Sequence, residues 1–463
     1  PIGPGGFTPT LVSNVVINVF DGGSVGGDSF DARSGSTVNI SGGSVGDRFD
    51  ALSGSTVNIS RGRVGDSFRS GSGSIVNISG GSVGDSFGAG GTVNLTGGSV
   101  ANNFNARFGS TVNISGGRVG AGDYVGGGLF GAHSGSSVTL YGDAFKRNGS
   151  AVSSIADGFG GVPSTDIFTG VLEDGTAFIF SSEARDEFAP SSTTLRSVDV
   201  APSENPGLLS SGVFTKGLRS GETLTVQGTG SLGDSFAVVN GALVIEAGTV
   251  GNGLEVARGE VTISDGSVGL FFRAFDGSTV TISGGSVGDR FSAFSGSTVT
   301  ISGGDVGRLF RAHEGSTVTI SAGSVGDNFS ALPGTTVHIT GGSVGNNFDV
   351  SDTVNISGGR IGDRFDAFGN SKVNLFVTDI SIDGVDLNLS LDKTIEISQR
   401  GGALLEATLA DGSAFDWVLN DRFVGLEDFV SENATVTVTL VPTPGAAGVL
   451  GMAGLVASRR RRG

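Results

Sequence analysis

The sequence has no cysteine, one methionine, one tryptophan, two tyrosines and ten prolines in 463 residues, and only 28 Lys and Arg against 45 Asp and Glu. Without thiols there is no disulfide, zinc–thiolate site, iron–sulfur cluster or cysteine nucleophile, so stability has to come from packing and backbone pairing. A formal charge of −17 repels nucleic-acid phosphates and anionic bilayers, which argues against DNA, RNA or acidic lipid as partners. Glycine is abundant at 84 residues, beside 31 phenylalanines. So much glycine with so little proline and a mean hydropathy of +0.15 fits neither collagen nor a polar disordered tract.

Internal repetition supplies the architecture. From Gly35 the chain reads GSTVNISGGSVGDRFDALS and then GSTVNISRGRVGDSFRSGS, so that Val38 recurs nineteen residues on as Val57 and again as Val76. The series runs on through Val93 and Val112, stops, and returns at Val261, Val280, Val299, Val318, Val337, Val354 and Val373. Thr37, Asn39 and Ser41 alternate with Val38 and Ile40, the period of a half-buried strand. Gly42-Gly43 marks one turn, Val45 a second short side, Gly46-Asp47 another turn, and Phe49 with Ala51 a third inward pair. A nineteen-residue coil encloses no core alone, but coils stacked at roughly 4.8 Å pair each strand with its neighbours above and below. The expected fold is all-β, a parallel β-solenoid, right-handed by the general preference of parallel crossovers. Phe30, Phe49, Phe68, Phe87 and Phe104, with Phe236, Phe272, Phe291, Phe310, Phe329, Phe348 and Phe365, are expected to form an inward ladder of rings.

A second duplication sits above the first, because VLEDGTAFIF at 171–180 is echoed by TLADGSAFDW at 408–417. The chain divides into an N-terminal segment (1–16), array 1 (17–140), a β-rich cap (141–195), a linker (196–223), array 2 (224–376), a second cap (377–440) and a C-terminal sorting or anchor signal (441–463).

Four kinds of hidden chemistry deserve weighing. Asp47, Asp66, Asp85, Asp289, Asp327 and Asp363, with Asp28 and Asp234, share one coil position and are the calcium candidates. GGSVGD resembles the calcium-binding RTX nonapeptide, yet Leu270, Arg308, Asn102, Asn252 and Asn346 occupy the same slot, and neither leucine nor arginine ligates a hard cation. An aspartate capping its own turn is the preferred account. Thr279 and Thr281, Thr298 and Thr300, and Thr317 and Thr319 form ranks that resemble those of ice-binding solenoids, although array 1 has Asn39, Asn58, Asn77, Asn94 and Asn113 in the second slot and strand propensity explains threonine equally well. Asparagine sequons at Asn39, Asn58 and Asn77 are read as accidental. Polysaccharide lyases and hydrolases also use β-helices, but catalysis needs a cleft with a carboxylate pair, and near-uniform coils offer none. His133, His313 and His338 lack catalytic company, so no catalytic residue and no cofactor is assigned.

The tail changes composition abruptly. Val441-Pro442-Thr443-Pro444 is followed by an uncharged small and apolar run at 445–458 and then by Arg459, Arg460, Arg461 and Arg462. Breaker, apolar run and terminal arginines resemble the PEP-CTERM sorting signal, with Thr443 where that family has glutamate. The resemblance implies export, transient anchoring in the inner membrane through 445–458, processing by an exosortase-like enzyme, and release to the cell surface or matrix. The expected function is a non-enzymatic structural or adhesive surface protein, a rigid acidic solenoid that self-associates or holds surface polysaccharide. A calcium- or carbohydrate-binding adhesin is the alternative.

Overall fold

The computed structural model describes residues 5–7, 11–26, 29–120, 130–155, 166–182, 187–188, 193–200, 205–422 and 427–443. These are all-β, with no helix among them. The chain forms two compact units, Pro1–Thr225 with Thr229–Leu243 and Val250–Gly259, and Val226–Gly228 with Val244–Thr249 and Glu260–Gly463. Both are β-solenoids.

In the first unit, each coil contributes one nine-residue strand and one short strand. Thr37–Val45, Thr56–Val64, Ile75–Val83, Thr92–Val100 and Thr111–Val119 follow one another in a 13-stranded sheet, while Phe30–Ala32, Phe49–Ala51, Arg69–Ser70, Gly88–Ala89, Phe104–Ala106 and Phe130–Ala132 do so in an eight-stranded one. Pairing is parallel and in repeat register: Val38 lies opposite Val57, Asn39 opposite Asn58, Phe30 opposite Phe49. The first two sides expected of each coil thus belong to a single strand. It bends at the Gly-Gly pair, where the ladder skips between Ile40, Ser41 and Ser44 and then recovers at Val45.

The core follows from the alternation. Val38, Ile40, Val45, Phe49 and Ala51 are buried and the residues between them face outward. Phe30, Phe49, Phe68, Phe87, Phe104 and Phe130 stack with centroids 4.6–5.2 Å apart. In the second unit Phe272, Phe291, Phe310, Phe329, Phe348 and Phe365 stack at 4.6–5.3 Å. Burying each ring contributes about 1.5–3 kcal/mol, and each offset pair about 0.5–1.5 kcal/mol more.

Two backbone devices turn the chain. The second glycine of the bend has a left-handed backbone: Gly304 lies at φ 71° and a Cβ there would meet Gly284 O at 2.6 Å. The first glycine is replaceable, since Ala322 and Arg61 stand in its place. At the next corner the residue after the aspartate slot is also left-handed although rarely glycine, as at Arg48 (55°), Ser67 (61°) and Leu309 (63°), the last following Arg308. That conformation is strained for a side-chain-bearing residue. It is held because each corner N–H donates to the coil above, Arg48 to Asp66 O at 2.7 Å and Leu309 to Asp327 O at 2.9 Å.

Both copies close with one device. The long strand Ser137–Arg147 runs past the stack and pairs antiparallel with Ile167–Leu172, which turns back into Ala177–Ser181. In the second unit Lys372–Ile382 pairs with Ala403–Leu409 and that strand with Ala414–Leu419. The aspartate of each shared phrase docks on the last Gly-Gly bend: Asp174 Oδ2 accepts from Gly117 N–H at 3.0 Å, Asp411 Oδ2 from Gly359 N–H at 2.8 Å. The last aromatic of each phrase then ends the ladder, Phe180 at 5.5 Å from Phe130 and Trp417 at 4.7 Å from Phe365. Trp417 Nε1 donates to Phe365 O at 3.0 Å. Edges that would otherwise recruit another strand are covered.

Phe310→Ala should remove one rung with two neighbours and lower unfolding stability by about 3–5 kcal/mol, read from urea titrations of the full chain. Gly304→Ala should cost about 3 kcal/mol or more, because left-handed strain and a backbone clash add. A fall below about 1 kcal/mol in the same titration would mean that the bend rearranges freely.

Candidate functional site

The corner aspartates bond between coils, and not within their own turn as the sequence suggests. Asp47 Oδ1 accepts from Asp66 N–H at 2.9 Å, Asp66 from Asp85 at 3.0 Å, and Asp85 from Asn102 at 3.1 Å. In the second unit Asp289 accepts from Arg308 N–H at 2.9 Å and Asp327 from Asn346 at 2.8 Å, while Asp363 donates its own N–H to Asn346 Oδ1 at 2.9 Å. Arginine fits the slot because Arg308 Nη2 also reaches Asp289 Oδ2 at 3.3 Å. Among the described residues no group of three or more His, Cys, Asp or Glu is placed to hold a metal ion. Asp28 lies outside the described residues.

The outward faces of the two arrays differ chemically. In the first, each asparagine Nδ2 donates to the Oδ1 one coil below: Asn39 to Asn18 at 2.7 Å, Asn58 to Asn39, Asn77 to Asn58 and Asn94 to Asn77 at 2.8 Å, and Asn113 to Asn94 at 2.9 Å. In the second, Thr281, Thr300 and Thr319 lie in register, followed by His338 and Asn355. His313 stacks on Phe294 at 4.4 Å, and burial, assisted by Arg311, pushes its pKa down to about 4. A ring kept neutral there packs as an aromatic. His133 Nε2 lies 3.1 Å from Asn105 Oδ1.

A cleft does exist, made by a cap and not by the coils. In the second unit the strand Ala414–Leu419 stands off the last bend and leaves a groove of about 1140 Å³, lined among others by Arg360, Asp363, Arg364, Phe415, Asp416 and Asp428. Two of its carboxylates are structural acceptors: Asp428 takes Phe365 N–H at 2.9 Å and Val418 N–H at 3.0 Å. Burial raises the Asp411 carboxyl, but hydrogen bonds from Ser413 and Gly359 outweigh it and hold the pKa below the ordinary carboxylate range.

The same groove in the first unit is filled. Residues 213–225 and 229–239 lie on it, with Ala177 N–H donating to Lys216 O at 2.9 Å and Arg219 Nε to Gly175 O at 3.1 Å. Arg118 donates to Thr215 O and lies 5.9 Å over the Phe236 ring. Burial, against the pull of Asp234, lowers the Arg118 pKa to about 10. Only small cavities of about 30 and 130 Å³ remain open.

Beside the second cap sits the most perturbed carboxyl. Asp366 is fully covered, in register with Asp349 below and Phe429 above, and Arg364 Nε lies 3.3 Å from its Oδ2. Neither carboxylate oxygen has a hydrogen-bond donor among the described residues. Burial, with Asp349 and Asp428 adding to it and Arg364 opposing, pushes its pKa up to about 6.

Of the tail, Val441 donates its N–H to Val377 O at 2.8 Å. Pro442 and Thr443 follow, and Pro444, the apolar run and Arg459 to Arg462 lie outside the described residues. Among the described residues no helix is long and apolar enough to cross a membrane.

A folded pKa above the unfolded value of about 4 means that protonated Asp366 favours the native state. Its contribution is complete below about pH 4 and is lost as pH rises through about 6. Asp366→Asn should therefore raise the melting temperature at pH 7 and leave it little changed at pH 4. An equal shift at both pH values would show that the carboxyl does not titrate in this window.

Set against known proteins, the chain stands apart: no protein-family model, no curated protein and no solved structure matches it, and what its own geometry establishes is a β-solenoid repeat fold.

Proposed function

We propose that the protein is a non-enzymatic, exported structural or adhesive component of the cell surface or matrix, acting as a stiff acidic solenoid. The observation that carries this is the unbroken register of the stacks. One ring per coil runs from Phe30 to Phe180 and from Phe272 to Trp417, and each outward slot is repeated coil after coil. Side chains locked to their own copies make a surface of polar ranks, suited to broad repetitive contact and poorly suited to a shaped reaction centre.

The tail supplies the address. Its likeness to a PEP-CTERM signal supports export, passage through the inner membrane and removal of the arginines, which would leave the chain more acidic still. The corner carboxylates weigh toward structure over calcium, since Asp47, Asp66 and Asp85 each commit an oxygen to a backbone N–H.

Mass spectrometry of the protein from its native host should find a surface-associated chain that ends before Gly445. Purified protein should bind surface polysaccharide without shortening it. A cytoplasmic chain retaining Arg459 to Arg462, or turnover of any acidic polysaccharide in a panel, would sink this reading.

A further inference from the structure

The two halves of the chain end in the same cap, but only one cap is covered. In the first unit every residue of Ala177–Ser181 is buried, Ala177 to 5% and Ile179 to 6% exposure. In the second, the equivalent Ala414 and Asp416 are exposed, as is Arg360, the counterpart of Arg118. Where the first joint keeps only small cavities of about 30 and 130 Å³, the second leaves about 1140 Å³ open.

What fills the first groove is the start of a coil stack. Val213–Phe214 pairs in parallel with Ser231–Leu232, Phe214 opposite Leu232. The start of the chain is built alike, Gly5–Phe7 pairing in parallel with Gly23–Val25 and Phe7 opposite Val25. The sequences agree too, Phe7-Thr8 with Phe214-Thr215 and Ser29-Phe30 with Ser235-Phe236. Thr215 and Phe236 are the residues that Arg118 holds. One chain therefore contains a filled cap-to-start joint, an open cap and a second start of the same design. We infer that the open groove of the second cap takes the starting coil of a second copy of this chain, so that copies join head to tail.

The substitutions between the filled and open joints favour a second copy as the occupant. Ile179 is buried at the first joint, and its cross-strand partner Thr169 lines the same small cavity as half-buried Val239, so apolar side chains occupy both sides of that joint. At the corresponding positions of the second cap and of the first coils stand Asp416 and Arg33, both exposed. Buried Ile179 and half-buried Val239, apolar within one chain, are replaced by opposite charges on two exposed surfaces that have to stay soluble until they meet. Glu255, covered in the first joint, has Asp50 as its counterpart at the chain start, and Arg360 remains to meet the acidic side. The contact is heterologous, using a different surface on each copy, and so it propagates instead of stopping at a dimer.

This deepens the structural reading above and rests on it for the setting in which copies meet. Sedimentation velocity of the full chain over a concentration series should show species larger than the monomer that grow with concentration. Asp416→Arg alone and Arg33→Asp alone should each weaken association about tenfold, and the double variant should restore it. Arg360→Glu should weaken it as well. All three positions are exposed, so unchanged melting curves confirm that each variant folds. A monomer at every concentration overturns the proposal. So does association that ignores both single reversals, which would point to the apolar tail, and so does a double variant no better than the singles. None of these outcomes bears on export, which stands or falls on where the native chain is found and where it ends.

Discussion

Everything in this protein depends on one translation: each coil lies on the next at strand spacing with every residue above its own counterpart. A side chain in such a stack must be able to rest on a copy of itself. Phenylalanine can, by offset ring stacking. Asparagine can, because a carboxamide carries both donor and acceptor, and the five bonds from Asn39 to Asn113 use that property. Glycine can where two backbones come too close for a Cβ, as at Gly304. Aspartate cannot rest on aspartate without repulsion. The corners resolve this by turning each carboxylate onto the N–H of the coil above, which also supplies a partner for a backbone donor that the bend would leave unpaired.

Where the translation stops, the repeat must be replaced by something that fits its last member. Both caps use a hairpin whose aspartate imitates the next coil at the Gly-Gly bend and whose terminal aromatic imitates the next rung. The imitation differs at that rung. Phe180 continues the ladder in kind, whereas Trp417 adds a hydrogen bond to Phe365 O, so the second ladder ends on a ring tied to the backbone of the last coil. Buried beside that end is Asp366, whose carboxyl is the least comfortable charge in the described structure.

The sequence made the ladders legible because nineteen residues is a period that nothing but stacking explains. It hid Phe130, since the glycine-rich insertion at 121–128 shifts that ring out of period, and it hid Phe180 and Trp417, which follow a hairpin instead of a coil. The corner bonds were read as local because an aspartate capping a residue two positions on and one capping a residue nineteen positions on look identical in one dimension. The left-handed corner was hard to read: Asn103, Asn328, Asn347 and Gly253 favour it, but arginine, serine, leucine and phenylalanine fill most of the slots and share no such propensity, and there the inter-coil N–H bond supports it. The cleft was missed for another reason. Uniform coils do leave none, but the caps are not coils. A signal was present in the shared phrase, where Ile179 against Asp416 is the difference between a covered strand and an open one.

The two outward faces show how far register alone decides what a surface can offer. In the asparagine rank one donor and one acceptor of each amide are already satisfied by the neighbouring coils, so a partner laid on that face finds roughly half of the hydrogen-bonding capacity in use. Thr281, Thr300 and Thr319 lie in the same row of the second array, and among the described residues no rank of hydroxyl-to-hydroxyl bonds joins them. An amide ladder therefore uses up hydrogen-bonding capacity between the coils of the first array, and a threonine rank leaves more of it on the surface of the second. Identical backbones thus carry two chemically different polar ranks, a difference set by a single side-chain position in each coil.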